Sequence, residues 1–164
     1  MNNFNWESFS LKIAVKTELS VIYKAWTQAD EIEKWFLSRA VYHKENKEER
    51  ARNSSIQAGD SYEWYWFLYD GMGEGRITEV NGKDHVQFTF AGECPVDVRL
   101  KQQGEYVIVE LSQSEIPTDD KSKRDIRLGC EKGWTFFMFN LKSIYEGGID
   151  LRNKDASLKG MLNN

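Results

Sequence analysis

Gly133-Trp134-Thr135-Phe136-Phe137-Met138-Phe139-Asn140-Leu141-Lys142-Ser143-Ile144-Tyr145-Glu146-Gly147-Gly148 is the stretch whose reading decides the fold. Trp134, Phe137, Met138, Leu141, Ile144 and Tyr145 recur at the spacing of a helix that buries one face. Gly133 stands before the stripe, and Gly147-Gly148 can supply the left-handed residue that ends a helix. Phe136 and Phe139 fall off the stripe. Either the helix is clasped on more than one side, or these two rings form a partner surface. A long aromatic helix at the end of a strand-rich chain implies a curved sheet wrapped around it. That arrangement often encloses an apolar cavity.

The strands precede it. Phe9, Leu11, Ile13 and Val15 alternate with Ser10, Lys12 and Ala14, a half-buried strand. The period then changes: Val21, Ile22, Ala25, Trp26 and Ala29 share a helical face with Ser20 as expected N-cap, and Asp30 is expected to cap a second short helix carrying Ile32, Trp35 and Phe36. Arg39 to Lys44 reads as a second strand. Lys44 to Ser55 is charged, of mixed sign and without an apolar face, hence a solvated and mobile loop, or else a short exposed helix that docks a partner. From Gly59-Asp60 a dense strand places Tyr62, Trp64, Trp66 and Leu68 on one face and Glu63, Tyr65, Phe67 and Tyr69 on the other. Asp70 to Gly73 reads as a turn and Gly75 to Val80 as the returning strand. Asn81-Gly82 is a hairpin signal, and His85 to Gly92 carries Val86, Phe88 and Phe90 on one face. Glu93-Cys94-Pro95 reads as a break. Val96, Val98, Leu100 and then Val107, Val109, Leu111 alternate around a turn at Gln103-Gly104, and Pro117 to Asp125 reads as a polar loop. Residues 1–152 form the expected single domain and 153–164 a tail, in which Leu158, Met161 and Leu162 are candidates to dock.

The expected class is therefore α+β: about seven antiparallel strands curved around a long C-terminal helix, with two short helices after the first strand. Several stretches resemble one family in particular. These are Val21-Ile22-Tyr23-Lys24-Ala25-Trp26-Thr27 with Ile32 and Trp35, Gly59-Asp60-Ser61-Tyr62-Glu63-Trp64, Gly75-Arg76-Ile77-Thr78-Glu79-Val80, and Gly133-Trp134 through Leu141 with Glu146-Gly147-Gly148. Their order resembles the helix-grip proteins (START and Bet v 1-like, SRPBCC), and within them the group related to the activator of Hsp90 ATPase (AHSA1-like), over roughly Phe9 to Leu151. The loop from Lys44 to Gln57 is longer than that family's usual connection. The resemblance implies the fold, and with it an internal cavity for a hydrophobic or aromatic small molecule. It also implies, as alternatives, a protein-interaction or co-chaperone role, linked to stress response or self-association, and a cyclase- or dehydratase-like enzyme. Ligand-cavity candidates are Trp35, Phe36, Tyr62, Trp64, Trp66, Phe88 and Phe90 from the first helices and the sheet, and Phe137, Met138 and Leu141 from the long helix.

The remaining chemistry is sparse. His43 and His85 are the only histidines, and neither has a metal-ligand neighbour at the required spacing. Cys94 and Cys130 are far apart and form no CxxC motif, so both thiols are expected to be reduced. Gly71-Met72-Gly73-Glu74-Gly75 lacks the lysine and following helix of a phosphate loop. Glu63 opposes Tyr62 and Trp64 and should point outward, whereas Glu79 shares the parity of Ile77 and could point inward as an acid or base in the cavity. No cofactor, metal or catalytic set is expected. A net charge of -4 without a basic face excludes nucleic acid as an expected partner. There is no apolar run long enough to span a membrane. The opening residues lack the basic and apolar regions of a signal peptide, so a cytoplasmic location is expected.

Overall fold

The computed structural model describes residues 4–164. Seven strands form one antiparallel sheet in the order β1-β7-β6-β5-β4-β3-β2. They are β1 (Phe9–Lys16), β2 (Arg39–His43), β3 (Ser61–Tyr65), β4 (Met72–Val80), β5 (His85–Phe90), β6 (Cys94–Gln103) and β7 (Tyr106–Gln113). β1 and β2 are consecutive in sequence but lie at opposite edges, and α1 (Leu19–Thr27) and α2 (Ala29–Ile32) make the crossing. All later strands are joined by sequential hairpins. The closing helix consists of α3 (Asp120–Ser122), a π-helical stretch (Lys123–Leu128) and α4 (Gly129–Tyr145), which packs against β1. This is the expected helix-grip architecture. One apolar core fills it, from Val15, Ile22 and Trp26 through Phe88, Val98 and Leu111 to Trp134 and Leu141.

Several boundaries differ from expectation. α1 starts at Leu19 behind Glu18, which makes no side-chain cap, and the free N–H of Leu19 is instead taken by Gln102 Oε1 at 2.9 Å. A tertiary contact has replaced the local Ser20 cap. Gln28 precedes α2, so Asp30 lies inside its first turn. β3 stops at Tyr65, where Tyr65 pairs with Met72, so the reversal is Trp66 to Gly71 and β4 begins three residues before Gly75. Trp66 therefore leaves the ladder, and Leu68 takes a left-handed φ of 57° and is exposed. Glu93-Cys94-Pro95 is no break: Ala91 and Gly92 turn the chain with φ of 54° and 88°, and Pro95 sits in β6, its carbonyl accepting the Ser114 N–H. A register shift between Ile77 and Glu79 breaks the alternation on β4. Such a bulge re-aims side chains, and Glu79 points out, 63% exposed, with His85 at 3.8 Å.

The closing helix begins well before Gly133, capped by Asp119, whose carboxylate accepts the Ser122 N–H at 3.0 Å. Pro117 to Asp125 reads as loop in the sequence because the first helical turn buries nothing apolar. Gly133 is thus interior to α4. Phe139 is 58% exposed, while Asn140, beside the apolar stripe, is buried. The helix ends as expected, with Gly147 at φ 79° and the Gly148 N–H on the Ser143 carbonyl at 2.7 Å. Lys44 to Ser55 forms no helix. Its exit is fastened by Arg50, which clamps buried Asp60 at 2.6 and 2.8 Å.

After α4 the chain returns across α2. Asn140 Nδ2 donates to the Trp35 carbonyl (2.7 Å) and to Asp150 (3.1 Å), and its Oδ1 accepts the Leu151 N–H. Buried Arg152 caps the carbonyls of Glu33, Lys34 and Leu37 at 2.9–3.0 Å and pairs with Asp150. Leu158, Met161 and Leu162 do not dock; all three are exposed. Burial alone would raise the Asp150 pKa, but hydrogen bonds from Arg152, Lys154 and Asn140 outweigh it and hold the carboxyl well below the ordinary range. Removing one partner of a buried pair strands the other. Arg152→Met should therefore cost about 3 kcal/mol in urea denaturation at pH 7. Asp150 is a depressed carboxylate, so its stabilisation is complete above the unfolded pKa near 4 and is lost as pH falls through the native value. The stability gap between wild type and Asp150→Asn should close on acidification.

Candidate apolar ligand cleft

Five rings converge between the sheet and the first turns of α4. Phe36 follows α2, Trp66 follows β3, Phe90 ends β5, and Trp134 and Phe137 project from α4. Phe36 stacks on Trp134 at 4.9 Å and meets Phe137 edge-on at 4.8 Å and Trp66 edge-on at 5.6 Å. Phe90 lies 5.1 Å from Trp134 and 6.3 Å from Trp66. Aromatic pairs favour these tilted and edge-on geometries. Together with Asp125, Gly129, Cys130 and Gly133 the rings line a cleft of about 310 Å³.

The cleft owes its volume to the helix. Gly129 and Gly133 are four residues apart and share one helical face. A Cβ on Gly133 would meet nothing within 4 Å, and one on Gly129 only the Arg124 carbonyl at 3.6 Å. Glycine inside a helix costs roughly 0.5–1 kcal/mol relative to alanine. Neither position needs glycine for backbone reasons, so what the two preserve is open space. A π-helical stretch immediately precedes them, and Asp125, within it and four residues before Gly129, lines the same cleft.

Polar groups fix the walls. Buried Gln113 accepts the Trp134 indole N–H at 3.3 Å and donates to the Phe90 carbonyl at 3.3 Å. Burial pushes the Cys130 thiol up to about 11, a hydrogen bond with Gln113 only partly opposing it, so it is no thiolate near neutrality. At the mouth, hydrogen bonds from Arg124 and Lys121 hold the Asp125 carboxyl below its ordinary pKa. No group of three His, Cys, Asp or Glu side chains is placed to hold a metal among the described residues.

Of the residues singled out in the sequence, Phe36, Trp66, Phe90 and Phe137 line this cleft. Trp35, Trp64, Phe88, Met138 and Leu141 lie deeper, buried in the packed core. Trp35 donates to the Ala25 carbonyl at 2.9 Å and Trp64 to the Tyr42 hydroxyl at 3.2 Å. Tyr62 stacks on Trp64 at 3.9 Å, and its hydroxyl donates to the Thr89 carbonyl at 2.6 Å. Trp134, Gly129, Cys130 and Gly133 were not among the candidates. The i, i+4 glycine pair is the available signal, and it is hidden when Gly133 is read as standing before the helix. A second, more polar recess of about 720 Å³ adjoins the cleft, with Tyr62, Trp66 and Phe90 beside His43, Glu63, Glu74, Arg76 and Glu93.

A curved antiparallel sheet gripping one long helix, with an aromatic cleft between them, defines a helix-grip protein. The chain belongs to the activator of Hsp90 ATPase homolog 1-like protein family, whose profile matches residues 16–146. Solved structures agree in fold. The Aha1 dimer from Colwellia psychrerythraea has a TM-score of 0.66 at 19% identity, covering 86% of this chain and 97% of that one. A Staphylococcus saprophyticus protein has a TM-score of 0.68 at 16% identity, covering 88% and 96%. An HSP90 activator from Plasmodium falciparum has a TM-score of 0.61 at 16% identity, covering 84% and 95%. No curated protein matches the sequence, and no helix among the described residues is long and apolar enough to cross a membrane.

If Gly133 only preserves space, Gly133→Ala should raise stability by about 0.5–1 kcal/mol in chemical denaturation. A loss of stability would mean that the space is not free. Cys130 should label slowly with a thiol reagent at pH 8 and speed up steeply as pH approaches 11.

Proposed function

We propose that this protein binds a small apolar or aromatic molecule in the cleft between α4 and the sheet, in the cytoplasm, and carries out no chemistry on it. The observation that carries this reading is the open glycine face of α4 opposite a ring of aromatic side chains. Pockets of this size, lined by aromatic groups with a few polar ones at the edge, suit small ligands. An acid–base role finds no support: Glu79 points to solvent, and Asp125 is paired at the mouth. A second reading, contact with a chaperone or with another copy of the chain, is favoured by the exposed Phe139 on the outer face of α4.

The test uses N-phenyl-1-naphthylamine, a fluorescent apolar probe, together with native mass spectrometry of freshly purified protein. Wild type should bind the probe and quench in tryptophan fluorescence. Gly133→Leu, which fills the cleft from the helix side, should weaken binding at least about tenfold, or 1.4 kcal/mol, while remaining folded. Equal binding by both would displace the site from this cleft. No binding by either, with a bare mass, would favour the protein-contact reading.

A further inference from the structure

The cleft and the larger recess meet at one wall, formed by Trp66 and Phe90. The recess is open because the sheet forks there. β4 pairs with β5 only from Ile77 to Val80. Beyond that, the Thr89 hydroxyl takes the Arg76 N–H at 3.1 Å, and the left-handed pair Ala91 and Gly92 carries the chain away. Met72 to Gly75 therefore pair with β3 alone.

Trp66 stands at the centre of that wall. It lies just past the end of β3, and its side chain lines both recesses. It is only half-buried and touches Phe36, Tyr69 and Phe90 edge-on. Its resting position depends on Gly73: a Cβ there would stand 2.7 Å from the indole ring. Glycine inside a strand costs stability and marks a close approach. Here the approaching group is the partition between two recesses.

We propose that Trp66 is a swinging partition, and that the ligand of this site is an amphiphile whose apolar body fills the cleft and whose head reaches the fork between β4 and β5. This rests on the ligand-binding reading above. The fork selects the head. Glu63, Glu74 and Glu93 face it against Arg76, which already pairs with Glu93 at 2.5 Å, and His43, 3.5 Å from Glu63. The excess of carboxylates repels an anionic head and accepts a neutral or cationic one.

The experiment compares decyltrimethylammonium, decanol and decanoate, all below their micellar concentrations, by displacement of N-phenyl-1-naphthylamine. The ammonium compound should bind about tenfold more tightly than decanoate. The Glu63→Gln/Glu74→Gln double variant should erase that preference. Gly73→Ala, which pushes the indole off its seat, and Trp66→Ala, which removes it, should each speed association of the ammonium compound several-fold in stopped flow. Probe binding with equal affinity for all three heads, or with association rates unchanged in both variants, would overturn the proposal. Absence of probe binding in wild type would sink the ligand reading and this inference with it.

Discussion

The stack of Phe36 on Trp134 joins the two halves of this fold. Phe36 comes from the segment that carries the chain between opposite sheet edges, and Trp134 comes from the closing helix. Around that pair stand Trp35, Trp64, Trp66 and Phe137, each in ring contact with Phe36. Large rings fill volume at low entropic cost but tile imperfectly, because their preferred contacts are tilted or edge-on. Packing is complete toward Trp35, Trp64 and Phe88. It is incomplete toward Gly129 and Gly133, where the helix contributes no side chain. Core and cleft are thus two sides of one aromatic cluster, and the helix decides which side is filled.

The polar anchors serve the same geometry. Gln113 holds Trp134 and Phe90, Asn140 ties α4 to the Trp35 carbonyl, and Arg152 closes the end of the segment after α2 from below. Each is a buried polar group that is satisfied, so each specifies a position for its neighbours. Trp66 rests on Phe36, Tyr69 and Phe90 and against Gly73, at the point where the sheet forks.

Much of this was legible in the sequence. Period-two alternation at Phe9–Val15, Val96–Leu100 and Val107–Leu111, and the helical stripe from Trp134 to Tyr145, gave the strands, the closing helix and their order. Boundaries set by tertiary contacts were not legible. Gln102 replaced the Ser20 cap, a bulge reversed the parity of Glu79, and a polar first turn hid the start of the closing helix. The candidate site was legible in half: aromatic identity marked Phe36, Trp66, Phe90 and Phe137. Separating them from Trp35, Trp64 and Phe88 required knowing which rings face the glycines. That depends on where the helix starts, and the polar turns before Gly129 hide the face that Gly129 and Gly133 share.

The most direct test of the account is a crystal of the protein pressurised with xenon, which settles in apolar cavities that hold no ordered polar contents. Xenon bound among Phe36, Trp66, Phe90, Trp134 and Phe137, beside Gly133, is the predicted result. The same rings collapsed onto the helix, with no xenon between them, would contradict the claim that the glycines of α4 keep a ligand site open.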